Sequence, residues 1–195
     1  MKTNKTLIAI IVAIVLVALW AVSAYNGMVV AEEEATTSFA NLQSTYQRRA
    51  DLIPNLVETV KGYASHEKEA LEGVVAARSK ATSINIDPEN MTPEKMKQFQ
   101  AAQGELSTAL GRLIAIKENY PDLKANENFR DLQVQLEGTE NRINEARNTY
   151  NEKVQEYNVK IRRFPNSLFA GLFGFDKMQK FEAEEGSEKA PQVKF

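Results

Sequence analysis

The chain has no cysteine among its 195 residues, which excludes disulfide bonds, thiolate metal ligands, thiol nucleophiles and thioether-linked lipids. Its single histidine, His66, cannot supply the pair of Glu-x-x-His motifs that a di-iron helical bundle needs. Lysine plus arginine (24) nearly balance aspartate plus glutamate (26), and no basic stripe stands out, so we expect no nucleic-acid partner. No stretch alternates as a β-strand does. We therefore expect an all-α chain that holds neither a metal nor another cofactor.

One long hydrophobic run is present at residues 7–24, eighteen residues without a charged side chain. At ~1.5 Å per residue, a helix of this length crosses most of the ~30 Å hydrocarbon core of a bilayer. Trp20 and Tyr25 suit the headgroup level at the end of that helix. The run predicts that residues 1–25 form a short N terminus and a single membrane anchor.

Two alternatives to an anchor are a cleaved signal peptide and a buried core helix. Lys2 and Lys5 precede the run and Val22-Ser23-Ala24 at its end offers small residues at a cleavage spacing, but signal peptides usually have only about 7 to 15 apolar residues. A core helix would have to be apolar on every side, unlike the half-polar helices that follow. The two lysines, with no further basic residue until Arg48, predict that the N terminus is cytoplasmic and the body is outside the cytoplasm.

Residues 26–164 show the apolar periodicity of four long helices. The first is expected to end near Arg49, because Pro54 disfavours helical Ile53 and suits the first turn of a second helix starting at 51–54. Residues 83–91 have the composition of a turn, and Thr92 before Pro93 predicts the capped start of a third helix. The apolar seam of that helix steps by three and four and consists of Met96, Phe99, Gln103, Leu106, Leu110 and Leu113.

Pro121 should end the third helix. After a short connection through residues 123–125, Asn126 can cap the last helix, which Pro165 stops. Its apolar seam holds for five heptads, as in a coiled coil, and consists of Phe129, Leu132, Leu136, Thr139, Ile143, Ala146, Tyr150, Val154, Tyr157, Ile161 and Phe164. Four long helices joined by short turns predict an antiparallel up-and-down four-helix bundle.

Tyr150 and Tyr157 lie seven residues apart on that seam. Both rings can therefore pack inside the bundle while each hydroxyl reaches a polar edge. Recognition of a partner is the alternative role for this pair.

Three blocks of the sequence resemble the LemA family of bacterial membrane proteins. They are RADLIPNLVETVKGYA at residues 49–64 with His66-Glu67; ENYPDLKAN at 118–126 with Phe129, Leu132-Gln133 and Thr139-Glu140; and Ala146-Arg147, Tyr150-Asn151, Tyr157-Asn158 and Phe164-Pro165. The resemblance implies a bacterial plasma (inner) membrane protein with an N-terminal membrane helix, an up-and-down helical bundle and an unsettled molecular function. Some family members are described with the short N terminus outside, opposite to the orientation that the lysines indicate.

The expected junction of the first two helices is a candidate docking site. Asp51, Pro54 and Asn55 would lie at a corner at the far end of the bundle, exposed to a partner. Capping and turn chemistry explain Asp51 and Pro54 equally well without a partner.

The C-terminal residues 165–181 form a second apolar segment. In a helix, Leu168, Phe169, Leu172 and Phe173 would share one face. Because a chain that leaves the membrane and makes four passes ends beside it, these side chains either close the base of the bundle or enter the membrane interface. In the second case Lys177 and Lys180 would point towards lipid headgroups. The polar residues 182–195 are expected to be disordered.

No group of residues predicts catalysis or binding of a cofactor or metal, since paired carboxylates need a closed cleft that a filled bundle does not offer. We therefore predict a membrane-anchored, non-enzymatic module for interaction with, or scaffolding of, other envelope proteins. The alternative is an extracytoplasmic sensor or ligand-binding bundle that signals laterally to a partner in the membrane.

Overall fold

The computed structural model describes residues 2–84, 86–88 and 91–182, and these residues are helical without any β-strand. The helices are α1 (Lys2–Tyr63), α2 (Lys68–Ser83), α3 (Pro93–Ala115), α4 (Pro121–Ala125) and α5 (Glu127–Arg162). Short 3-10 turns lie at Ile116–Glu118, Asn166–Leu168 and Gly171–Phe173. The expected disordered tail lies outside the described residues except for Glu182.

The N-terminal part of α1 is long and apolar enough to cross a membrane, and within the described chain no other helix is. None of its apolar residues is buried against the rest of the protein. The core-helix alternative is therefore wrong, because such a helix would be covered by its neighbours. The exposed run is consistent with a single-pass membrane anchor.

The predicted helix break at residues 51–54 is wrong, because α1 continues through Pro54 to Tyr63. A proline inside a helix cannot donate to the carbonyl four residues earlier. That carbonyl, on Ala50, accepts a hydrogen bond from Nε of Arg78 at 2.8 Å instead. The break falls at residues 64–67, so the predicted second helix is divided between the end of α1 and α2.

Helix α1 packs most extensively along α5. The two run antiparallel, since their hydrogen-bonded side chains pair in opposite sequence order: Glu32 with Tyr157, Tyr46 with Arg147, Arg49 with Glu140 and Tyr63 with Asn126. Helix α2 folds back against α1 and also packs on α3. The body is thus built around the extension of the anchor helix.

The core consists of two apolar clusters separated by a polar layer. The cluster nearer the anchor contains Phe39, Phe99 and Tyr150, and the far cluster contains Leu56 and Leu113. The layer between them is formed by the buried polar residues Arg49, Gln103 and Thr139. The predicted α3 seam is confirmed, since Met96, Phe99, Gln103, Leu106, Leu110 and Leu113 are all buried.

Both predicted caps are confirmed. The Thr92 side chain accepts a hydrogen bond from the Lys95 amide at 3.2 Å, and the Asn126 side chain accepts one from the Phe129 amide at 2.8 Å. The short connection expected at residues 123–125 is instead the single-turn helix α4, with Pro121 at its start.

The last seam ends earlier than predicted. Helix α5 stops at Arg162, and Phe164 is 75% exposed rather than buried. Residues 165–181 do not form the helical face expected for Leu168 and Phe173, but two 3-10 turns followed by residues without regular structure. We call residues 175–182, which run back along α5, the strap.

Candidate functional site

The predicted docking residues Asp51, Pro54 and Asn55 are exposed, but they lie within α1 rather than at a corner. The expectation of a corner is wrong for the reason given above, the continuity of α1 through Pro54. Asp51 accepts a hydrogen bond from Nε2 of Gln47 at 2.7 Å, one turn earlier on the same helix. A docking role for these residues stays a prediction.

The C-terminal residues return to the end of the membrane anchor. The Phe169 ring lies 5.8 Å from the Trp20 ring, and Tyr25 contacts Phe173 at 5.2 Å and Phe175 at 5.6 Å between ring centroids. We call these five residues the aromatic collar. Since Trp20 and Tyr25 end the apolar run, the collar places the C-terminal residues beside the end of the anchor.

Large apolar side chains beside the collar are left uncovered. Leu168 is 60% exposed and Leu172 is 80% exposed, whereas Phe175, Met178 and Phe181 of the strap are buried. The base of the core is therefore closed by the strap rather than by Leu168 and Leu172. Contact of those two residues with the membrane interface stays a prediction.

Two asparagines of α5 hold the backbone of the strap. Asn158 donates to the Met178 carbonyl (2.9 Å) and accepts from the Met178 amide (3.0 Å). Asn151, seven residues earlier, makes the same pair of bonds with Phe181, at 3.0 and 2.8 Å. A side-chain amide can satisfy both backbone groups of an extended residue, so this pair fixes the strap in place.

The seam tyrosines confirm the packing prediction. The Tyr150 hydroxyl donates to the Gln179 carbonyl of the strap at 2.9 Å, and the Tyr157 hydroxyl donates to the Glu32 carboxylate at 3.0 Å. Both rings are fully buried. Burial raises the pKa of the Tyr150 hydroxyl above its ordinary value.

Arg49 is a buried polar residue whose burial was not predicted from the sequence. It is 1% exposed and donates to the Glu140 carboxylate and the Ser107 hydroxyl, both at 2.8 Å, and to the Gln103 side chain. Its Nε has no hydrogen-bond partner among the described residues. The sequence does indicate that Arg49 is buried, because it occupies one position of an apolar series with helical steps of three and four. That series consists of Phe39, Leu42, Tyr46, Arg49, Ile53 and Leu56.

Tyr46 extends the polar layer towards the strap. Nε of Arg147 donates to the Tyr46 hydroxyl at 2.6 Å, and the Arg147 guanidinium also lies 5.6 Å from the centre of the Phe181 ring. Burial raises the pKa of the Tyr46 hydroxyl, and the nearby Arg147 charge opposes that rise. These contacts link α1, α5 and the strap in one hydrogen-bonded and cation–π network.

Two open grooves flank this core. One, of about 860 Å³, is lined by polar and apolar residues of α1, α2 and α3, including Gln43, Gln47 and Asp51. The other, of about 680 Å³, lies between α5 and the strap. We call the second one the basic groove, since its lining includes Arg162, Arg163, Lys177 and Lys180 with Glu182 as its acid.

The described residues contain no group of three or more histidine, cysteine, aspartate or glutamate side chains that could hold a metal ion. His66 is exposed in the turn between α1 and α2. The nearby Glu67 carboxylate accepts a hydrogen bond from the Tyr120 hydroxyl at 3.0 Å, which ties that turn to the start of α4.

Comparison with known proteins gives a consistent result. The model of the LemA family matches residues 38–195. Magnetosome protein MamQ of Magnetospirillum gryphiswaldense is 25% identical over 189 residues, covering 87% of this chain and 70% of the relative. Magnetosome protein MamQ 2 of Paramagnetospirillum magneticum is 25% identical, covering 84% of this chain and 66% of the relative. Protein LemA of Metamycoplasma hominis is 24% identical, covering 79% of this chain and 67% of the relative.

Proposed function

Because the chain belongs to the LemA family, we propose that it is a membrane-anchored, non-enzymatic module that scaffolds or binds other proteins of the bacterial envelope. One observation carries this proposal: α1 runs without interruption from the apolar anchor to Tyr63. Residues 25–63 of that helix extend about 60 Å at ~1.5 Å per residue. A rigid connection of this kind holds a binding surface at a fixed distance from the bilayer.

The proposed body is an antiparallel up-and-down bundle of four helical passes, namely the outer part of α1, then α2, α3 and α5. The reversed order of the α1 and α5 contacts supports it. So do the contacts of α2 with α3, where Lys80 bonds Glu105 at 2.7 Å, and the bond between Glu67, just before α2, and Tyr120, just before α4, at 3.0 Å. With four passes, the chain returns to the bilayer where the aromatic collar lies.

The proposed location is the bacterial plasma membrane, crossed once, with the body outside the cytoplasm. The lysines before the anchor support this orientation. Protease added to spheroplasts should digest the body, and survival of the body until the membrane is permeabilised would reverse the orientation.

The names of the relatives are consistent with a role without catalysis. Two of them are named magnetosome proteins and one is named LemA, and none of these names states a reaction.

Photocrosslinking in intact cells tests the scaffolding proposal. A photoreactive amino acid at Asn55, on the predicted docking surface, should capture a defined envelope protein. The same probe at Asn144, which is exposed on α5, is the matched control and should not capture that partner. Absence of a protein adduct from both positions, or the same adducts from both, would contradict a docking surface on this part of α1.

A second candidate function is ligand binding in the groove beside the polar layer. The observation that favours it is the mixed lining of this 860 Å³ groove, in which Gln43, Gln47 and Asp51 offer hydrogen-bonding groups. A small molecule that occupies the groove should raise the melting temperature of the protein, and Asp51→Ala should reduce that rise. Such a result without protein adducts would favour sensing over scaffolding.

A further inference from the structure

We propose that the basic groove binds the phosphate headgroups of acidic phospholipids in the membrane that holds the anchor. The proposal rests on the membrane anchoring in the proposed function and adds a lipid class and the residues that recognise it. Three of its cations, Arg162, Arg163 and Lys177, are exposed and form no ion pair within the described ranges. The fourth, Lys180, donates to Oε1 of Gln155 at 2.8 Å.

The fold brings these cations together from two separate elements. Arg162 ends α5, where the helix dipole already favours a cation. Lys177 lies on the strap and is held there because its neighbours Phe175 and Met178 are buried and Asn158 binds the Met178 backbone. The helix dipole accounts for a cation at Arg162 but not for Lys177 on the strap. A common anionic partner accounts for the cations of both α5 and the strap.

The position of the groove selects a lipid rather than another anion. Arg163 directly precedes the exposed Phe164, and the Phe175 ring, two residues before Lys177, contacts Tyr25 at the end of the anchor. The cations therefore lie next to the apolar side chains that border the bilayer. This order, with apolar groups in the acyl boundary and basic groups beside them, is typical of proteins that bind anionic membrane surfaces.

Native mass spectrometry of the full chain in detergent micelles tests the proposal directly. The protein should retain phosphatidylglycerol in preference to phosphatidylcholine with the same acyl chains. Each basic residue near a membrane surface contributes about fivefold in affinity, so Arg162→Glu/Lys177→Glu should lose about 25-fold or more. Lys68→Glu/Arg130→Glu reverses two exposed charges at the far end and should retain the lipid as the parent does.

Lys177→Gln provides a second variant with a smaller change, and it should lose about fivefold while leaving the melting temperature of the protein unchanged. Equal retention of the two lipids by the parent, or equal losses in the groove and far-end variants, would overturn the proposal. Inorganic phosphate should displace no more lipid than chloride of the same ionic strength. Stronger displacement by phosphate would assign the groove to the free anion instead.

The lipid measurement is independent of the crosslinking test. If the parent protein shows no lipid selectivity but still forms the protein adduct at Asn55, only the headgroup site is refuted. Lipid selectivity without any protein adduct would leave the headgroup site in place and contradict the docking surface on α1.

Discussion

Arg78 donates a hydrogen bond from Nε to the carbonyl oxygen of Ala50, 2.8 Å away. Ala50 lies four residues before Pro54, so within α1 its carbonyl would otherwise lack the donor that a non-proline residue at position 54 provides. The arginine therefore supplies from α2 the hydrogen bond that the proline removes. The same contact ties α2 to the middle of α1.

The first prediction tests whether the Arg78 side chain replaces the backbone donor that Pro54 lacks. Arg78→Met should lower the free energy of unfolding by about 1 to 3 kcal/mol, because the Ala50 carbonyl loses its partner. In a Pro54→Ala background the backbone amide of residue 54 can donate, so the same change should cost clearly less. Urea unfolding followed by circular dichroism gives the four values of this double-mutant cycle. Strictly additive losses would show that Arg78 does not compensate for the proline.

A second prediction compares two adjacent arginines of α1. Arg49 is buried beside Glu140 and Gln103, whereas Arg48 is exposed. Removing one partner of a buried ion pair costs about 3 to 5 kcal/mol, and the partial exposure of Glu140 places Arg49→Ala towards the lower value. Arg48→Ala should change the unfolding free energy by no more than about 0.5 kcal/mol. Similar losses for both variants would argue against a stabilising polar layer.

The third prediction separates the strap from the rest of the fold. Asn158→Ala removes both hydrogen bonds to Met178, so the amides of the strap should exchange with deuterium faster while those of α1 keep their protection. Asn158→Asp can still accept from the Met178 amide but cannot donate to its carbonyl, and exchange should rise by less.

Asn144→Ala is the matched control for the strap, because Asn144 is exposed on the same helix. It should leave strap exchange unchanged. Uniformly faster exchange along the whole chain in Asn158→Ala would show that the strap unfolds only together with the bundle.

The fourth prediction is an alkaline loss of stability. Burial raises the pKa of the Tyr150 hydroxyl in the folded state, so only the unfolded chain releases this proton near the ordinary tyrosine pKa of about 10. The stabilisation that comes from keeping the Tyr150 hydroxyl protonated is fully present below that pH. It is lost as the pH rises towards the pKa of Tyr150 in the folded state. Tyr150→Phe should therefore flatten the fall in unfolding free energy above about pH 10. An unchanged slope in this variant would contradict the prediction.

A fifth prediction tests membrane contact by the residues beside the aromatic collar. Since the chain has no cysteine, Leu172→Cys and Val134→Cys can each carry one nitroxide label. The two native side chains are similarly exposed, at 80% and 67%, but Val134 lies in the part of α5 away from the anchor. In bilayers the label at 172 should be accessible to oxygen and shielded from a water-soluble nickel complex, while the label at 134 should show the opposite. Equal access of the nickel complex to both would exclude the contact.

Local sequence was sufficient for the features that depend on near neighbours along the chain. The apolar run, the caps at Thr92 and Asn126, and the periodic seam of α3 were all predicted and confirmed, because hydrophobic spacing and capping hydrogen bonds act within a few residues. Three other blocks, at residues 49–67, 118–140 and 146–165, carried the resemblance to the LemA family, which the family match over residues 38–195 confirmed.

Tertiary contacts decided the rest. Pro54 alone predicts a helix break, and only Arg78, distant in sequence, lets α1 continue. The spacing of Leu168, Phe169, Leu172 and Phe173 predicts a helical face, but aromatic contacts with Trp20 and Tyr25 divide these residues between packed and exposed positions. The strap has no periodic signal of its own, since its backbone is held by Asn151 and Asn158 rather than by a regular helix or sheet. Sequence patterns report which residues favour burial, whereas the partner that satisfies each backbone group is fixed only when distant segments meet.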